Sequence, residues 1–313
     1  MTSRREQLLE SHPELRKLEG IEPRSKWIAL ALVGAQMALS LVAPTLPWWA
    51  YLSIAYAVGA TIAQALFLAI HELTHNLFFT SPAHNRWFAI VCNTALVVPF
   101  TVDFRTHHLK HHAHLGVCGV DTDVPSDCEM RWVVSPAAKA VWWALQIVAY
   151  AVRPIAIQPQ PLTSLHMASW AVQLGANALL VQCGGSGAPL RYLLLCMVLA
   201  GGVHPCAGHF LSEHYVFERE STQETTSYYG PLNRLTWNVG YHNEHHDLPQ
   251  VPWSRLPRVR STAPEFYNTL VACPSWTSIG MKYVVNAHMG PWRRIVRVTR
   301  SDIGCLANER KST

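Results

Sequence analysis

The sequence predicts an all-α membrane protein: four transmembrane helices in two hairpins, with a cytosolic helical cap that holds a histidine-rich dinuclear metal site. Three observations point there. Only 14% of the 313 residues are charged, against roughly 25% in an average soluble domain. The uncharged residues are concentrated in long runs, and the chain carries 17 histidines, ten of them in three short clusters.

The first run, Trp27 through Ile70, has 44 residues without Asp, Glu, Lys or Arg. One crossing takes about 20 residues, so this is the length of two spans. Pro44-Thr-Leu-Pro47-Trp-Trp supplies the turn, with two prolines to break the helix and two tryptophans suited to the interface. The expected spans are residues 27–45 and 49–70. The second hairpin is read from the uncharged runs Pro154 to Leu190 and Tyr192 to Ser212, with Gly184-Gly-Ser-Gly187 and Pro189 between them. Its spans fall at about 163–183 and 190–210, with a kink expected at Pro205.

Both turns are then lumenal, which leaves nearly all Lys and Arg, and both termini, on the cytosolic side. This is a better account of the net charge of +5 than nucleic-acid binding. Residues 132–151 are apolar but interrupted by Lys139 and Pro136, and are read as an interfacial or half-buried helix; residues 87–102 are read as re-entrant or surface-lying. The chain divides into a cytosolic arm (1–26), a membrane domain (27–285) and a basic tail (286–313). A cleavable signal peptide is not expected, since the apolar run begins only at Trp27. The eight cysteines form no Cys-x-x-Cys pair, so reduced, packing cysteines are expected.

The clusters are His71-Glu-Leu-Thr-His75, His107-His-Leu-Lys-His-His-Ala-His114 and His242-Asn-Glu-His-His246. Residues i and i+4 share a helix face, so His71 and His75 can serve one metal site. His108, His111, His112 and His242, His245, His246 each follow His-x-x-His-His, which places three imidazoles on about one face. Eight candidates exceed what one ion takes, so two ions are the economical reading, and nitrogen ligation favours iron, zinc or copper over magnesium or calcium. His209 and His214, at the end of the fourth span, are further candidates. His107 and His114 are read as neighbours of the ligands, and His12, His84, His166 and His288 as ordinary.

His71-Glu72-x-x-His75 also matches the zinc metalloprotease signature, a reading that leaves six clustered histidines without a role. A metal transporter is a further alternative, although such proteins place their sites near mid-membrane and spans one and two carry no histidine before His71.

The three histidine motifs around two helical hairpins resemble the membrane fatty-acyl desaturase and hydroxylase superfamily. Gly119-Val-Asp-Thr-Asp-Val-Pro-Ser-Asp127, Ser227-Tyr-Tyr-Gly-Pro-Leu-Asn233, Asn238-Val-Gly-Tyr-His-Asn-Glu-His-His-Asp247 and the segment from His12 resemble, more narrowly, the sphingolipid (dihydroceramide) delta-4 desaturases. The resemblance implies an endoplasmic-reticulum oxidoreductase that converts dihydroceramide to ceramide with two iron ions, O2, and electrons from cytochrome b5 and its NADH-dependent reductase. The nearest alternative is a C4-hydroxylase or a bifunctional desaturase/hydroxylase, which the histidine spacing does not separate from a desaturase. No protein nucleophile is implied. Glu72, Asp121, Asp123, Glu244 and Asp247 are expected to hydrogen-bond ligand histidines. Arg255, Arg258, Arg260, Arg293 and Arg294 are candidates for attracting an acidic redox partner or, equally, for positive-inside topology.

Overall fold

The computed structural model describes residues 4–218 and 221–297. Helix α1 (Arg4–Ser11) and a short 3-10 turn precede α2 (Ser25–Val42), which runs on through a second 3-10 turn to form an apolar rod of 21 residues, Ser25–Thr45. Pro47 then breaks the chain at the start of α3 (Trp48–Ile54). A π turn, Ala55–Gly59, joins α3 to α4 (Ala60–Thr74), giving a second rod of 27 residues, Trp48–Thr74. At about 1.5 Å per residue both rods reach the roughly 30 Å of a bilayer's hydrocarbon core.

The π turn marks a close approach. A Cβ on Gly59 would lie 2.4 Å from Cys196 Sγ, so only glycine lets the two helices meet here. The turn also presents the Gly59 carbonyl to the buried Gln36 amide, which donates at 3.2 Å.

Helices α5 (Pro82–Asn93) and α6 (Thr101–Ala113) meet at a bend of 115°, within the stretch 87–102 that the sequence marks as re-entrant or surface-lying. Asn93 staples the bend. Its side chain accepts from the Phe100 and Thr101 amides and donates to the Val98 carbonyl and to Gln173. After α7 (Asp127–Trp132), helices α8 (Pro136–Ala144) and α9 (Gln146–Ile157) bend by 78° and leave Val141, Val148, Val152 and Ile155 exposed. On the other side of α8, Lys139 is buried and donates to the Asn286 carbonyl at 2.8 Å.

The second hairpin departs from expectation. Helix α10 (Ser164–Cys183) covers the expected third span but buries His166, Ser169 and Gln173, and its polar face lowers its mean hydropathy below that of the first two rods. Helix α11 (Ala188–Gly201) stops well short of residue 210: the chain breaks at Gly202 and turns by 48° into the stretch Pro205–Ser212, whose last residues form α12 (Gly208–Ser212). Pro205 contributes, as the sequence suggested. The tighter constraint is Gly202, where a Cβ would lie 2.2 Å from the Ala144 carbonyl oxygen. Among the described residues, two helices are long and apolar enough to cross alone, and five spans are reached only if each bent pair counts as one.

Helix α13 (His242–Asp247) is fixed by a parallel pair of short strands, β1 (Ser227–Tyr228) and β2 (Ala272–Cys273), and by Asn233, which accepts from the Gly240 amide and donates to the Tyr228 carbonyl. Helices α14 (Leu256–Thr262), α15 (Pro264–Tyr267) and α16 (Trp276–Val285) follow. The N-terminal segment is not a free arm: Leu8, Leu9 and Leu15 share a small core with Leu248, Val251, Leu256, Val259 and Tyr267. Among the described residues six cysteines are free, while Cys118 departs from the reduced default, being disulfide-bonded. Of the basic tail, residues 298–313 lie outside the described residues.

Replacing Gly202 by Val is expected to lower the apparent Tm of the detergent-purified protein, as overpacking costs about 1–3 kcal/mol. Gly175→Ala, where a Cβ meets open space, should leave it unchanged or raise it. Equal melting curves for the two variants would contradict the close packing of α11 on α8.

Candidate metal centre

Three helices from distant parts of the chain meet at the inner ends of the apolar rods: the last turn of α4, the second half of α6 and the whole of α13. Their histidines sort into two neighbouring groups. His71, His75, His108, His112 and His245 form the first, with one ring nitrogen of each within 4.8 Å of the others. The second is built on His214, which gathers His111 and His246 on one side and His242 with Glu213 on the other.

Each His-x-x-His-His motif is divided between the groups, where the spacing alone suggested one shared face. His108 and His112 serve the first group and His111 the second; on α13, His242 and His246 serve the second and His245 the first. Successive residues on a helix are rotated by about 100°, so adjacent histidines diverge enough to face different centres. α6 and α13 therefore span both groups.

The donor set fits metal ions. His108 Nε2 lies 2.9 Å from His75 Nε2 and 3.1 Å from His112 Nε2, and the latter is 3.2 Å from His245 Nε2. In the second group His214 Nε2 is 3.1 Å from His111 Nε2 and 2.9 Å from His242 Nε2. One such contact can be an N–H···N hydrogen bond, but the Nε2 atoms of His108, His112 and His214 each meet two other ring nitrogens, more than a single proton or lone pair serves, and a cation among the nitrogens would satisfy them all. Nitrogens placed about 2.1 Å from one ion stand about 3.0–3.4 Å from one another, which matches these spacings. His246 Nε2 is buried without a hydrogen-bond partner, a loss of about 1–3 kcal/mol that ligation offsets. Burial holds His214, His242, His245 and His246 well below the ordinary histidine range, so they are neutral near pH 7 with lone pairs available.

Of the ten histidines named from the sequence, nine enter the two groups and His209 does not. Its Nδ1 lies 3.0 Å from Glu213 Oε1 and its Nε2 contacts the Gln64 side chain. Glu213, which was not anticipated, also lies 3.6 Å from His242 Nδ1, too far for a hydrogen bond, and its carboxylate stands in one candidate ligand group with His214 and His242. Its position one residue before His214 and four after His209 was the available signal.

The expected carboxylates divide as well. Asp121 Oδ1 is 3.0 Å from His111 Nδ1, which turns His111 Nε2 toward the group, and Asp123 stands 3.7 Å away. Burial alone would raise the Asp121 carboxyl, but His111, Arg294 and the Gly116 amide hold it well below its usual range. The other three carboxylates touch no histidine closely. Glu72 accepts the Trp253 amide at 3.0 Å and is 4.0 Å from His71. Glu244 accepts from Ser227 and Tyr229 at 2.8 and 2.9 Å, and Asp247 pairs with Arg4 at 2.9 Å. They fix the backbone that presents the histidines instead.

The basic residues proposed for docking are largely occupied. Arg255 donates to the carbonyls of Leu18, Glu19 and Ile21, Arg293 to those of Val216 and Glu218, and Arg294 is buried against the Asp123 carbonyl. Arg260 stacks 3.5 Å over the Tyr229 ring, whereas Arg258 is exposed.

A cavity of about 390 Å³ reaches both groups. Phe67, Leu68, Ile147, Leu194, Met197 and Val198 give it apolar walls, and His71, His108, His111, His214 and His242 line its polar end.

The Fatty acid desaturase family pattern matches residues 46–274. The chain is 44% identical over 300 residues to the sphingolipid delta(4)-desaturase DES1 of Drosophila melanogaster, covering 95% of this chain and 92% of that one. It is 42% identical over 295 residues to a DES1-like sphingolipid delta(4)-desaturase of Oryza sativa subsp. japonica, covering 94% and 89%. It is also 40% identical over 301 residues to the sphingolipid delta(4)-desaturase/C4-monooxygenase DES2 of Bos taurus, covering 96% and 92%.

Asp121→Asn is expected to lower metal affinity about 10–100-fold by releasing the His111 tautomer. Titration of the metal-depleted protein measures this, with the surface variant His84→Ala as the unchanged control. His112→Ala should lower the metal content measured by mass spectrometry from two ions per chain toward one or none.

Proposed function

The chain belongs to the fatty acid desaturase family, and from that premise we propose that it is a sphingolipid delta-4 desaturase that converts dihydroceramide to ceramide. The observation that carries this reading is the apolar cavity that ends on both histidine groups: it suits an alkyl chain, and the groups suit a dinuclear site. The reaction takes one hydrogen from each of C4 and C5. With two further electrons and two protons, one O2 becomes two waters. Two iron ions, held by His71, His75, His108, His112 and His245 and by His111, His214, His242 and His246, would supply the O2 activation that an unactivated C–H bond requires.

The protein's own part is placement. The walls formed by Phe67, Leu68, Ile147 and Val198 exclude water and extend the chain past the groups. Asp121 holds His111 in orientation, Glu213 stands beside His214 and His242, and no side chain is needed as nucleophile. His209 is assigned to the support of Glu213 rather than to ligation.

The proposed setting is the endoplasmic reticulum membrane, with both hairpin turns lumenal, both termini cytosolic, and the histidine-bearing helices as the cytosolic cap. Lys and Arg flanking the apolar runs support that orientation. Cytochrome b5 and its NADH-dependent reductase are the proposed electron source. On the described surface Arg258 is an exposed cation for such a partner, while the other four arginines serve packing.

C4 hydroxylation is the second reading, favoured by the 40% identity to a relative named for both activities. A zinc protease is disfavoured, because Glu72 accepts the Trp253 amide and His71 and His75 converge with three further histidines. Lipid mass spectrometry of a desaturase-deficient eukaryotic cell expressing this chain should show ceramide with a 4,5 double bond. Accumulation of only 4-hydroxylated product would replace the desaturase assignment with the hydroxylase one, and absence of both products would reject it.

A further inference from the structure

Along α6 the wall of the cavity changes character. Phe100 and Phe104 belong to its apolar part, whereas Asp103, His107 and His111, each four residues from the next, share one face. His111 is in the second histidine group; Asp103 and His107 are in neither. Thr122 and Asp123, from the loop after α6, and Tyr150, from α9, line the same stretch. A belt of hydrogen-bonding groups thus borders the histidine cluster on one side of an otherwise apolar cavity.

The belt is built rather than incidental. Asp103 is held 3.3 Å from His166 Nε2, and that ring in turn accepts the Thr163 amide at 3.1 Å, at the start of α10. His107 is only 6% exposed and its Nδ1 has no partner. A buried polar atom left unpaired is costly, and a ligand hydroxyl or amide at this position would remove that cost. Asp123 reaches across to within 3.7 Å of His111, which links the belt directly to the metal group.

We infer that Asp103, His107, Thr122 and Asp123 form a head-group subsite, which binds hydroxyl and amide groups close to the reacting carbons of a polar lipid and so fixes which carbon faces the histidines. The inference rests on the lipid-desaturase reading. The four-residue step from His107 to His111 covers about 6 Å along the helix, a span of a few bonds. That suits a substrate whose polar groups adjoin the reacting carbons, as the C3 hydroxyl of a sphingoid base adjoins C4. A simple acyl chain, with its polar end many bonds from the reacting carbons, would place only methylenes against this belt.

The test uses the purified, metal-loaded protein with a reduced electron donor, and two substrates: dihydroceramide and its analogue without the C3 hydroxyl. His107→Leu and Thr122→Val should each raise KM and the dissociation constant for labelled dihydroceramide about tenfold, the worth of one hydrogen bond. They should leave the values for the deoxy analogue and the metal content unchanged, and His107→Gln should restore most of the binding. Double-bond position in the residual product should also spread along the chain. Equal losses on both substrates, unchanged dihydroceramide binding in both variants, or loss of metal from His107→Leu would overturn the subsite while leaving the desaturase reading in place. A wild-type protein that acts on neither lipid would overturn both.

Discussion

The structure depends on one electrostatic constraint: nine imidazoles must converge in the buried interior, with ring nitrogens about 3 Å apart in two groups. Water cannot screen their lone pairs in the interior, and each nitrogen without a partner is a loss. The surrounding chain accordingly over-determines their positions. Asp121 sets the His111 ring directly, and Glu213 pairs with His209 beside the second group. Glu72, Glu244 and Asp247 act one step away, fixing Trp253, the Ser227–Tyr229 segment and Arg4. The last of these ties the N-terminal helix to the end of α13, and its leucines pack on the residues that follow.

The same convergence explains why the helices are interrupted where they are. Polar ligands cannot sit in the apolar middle of a rod, so α4 carries its histidines only in its final turns. α11 stops at Gly202, where the backbone touches Ala144, and the bend leads the chain through α12 to Glu213 and His214. α6 reaches the same point from a sharp bend held by Asn93. Between these elements lies the cavity. Its walls are the flanks of the helices that carry the histidines, so a lipid chain bound there is aligned by the scaffold that orders the ligands.

Much of this was legible in the chain. The run from Trp27 to Ile70 dictated two apolar rods because no charge interrupts it, and Pro44 and Pro47 dictated the turn between them. The second hairpin was less legible. Gln173 and His166 lower the apparent hydropathy of α10 because they face neighbouring helices, and a one-dimensional profile cannot tell an inward polar side chain from one facing lipid. The break at Gly202 depends on contact with Ala144, which lies far away in sequence. The carboxylates show the same limit. Asp121 pairs with His111 ten residues away, whereas Glu72 and Glu244, beside histidines in sequence, point elsewhere.

The sequence by itself determined the helical class, the first hairpin and the set of imidazoles, because charge exclusion and i, i+4 spacing are local properties of the chain. Only the tertiary structure decided how those imidazoles divide. Adjacent histidines on one helix diverge by about 100°, and which centre each one meets depends on where the other helices stand. It likewise left His209 outside both groups, brought in Glu213, and set Asp103 and His107 along the cavity, because burial and partner geometry arise only when distant segments are packed together.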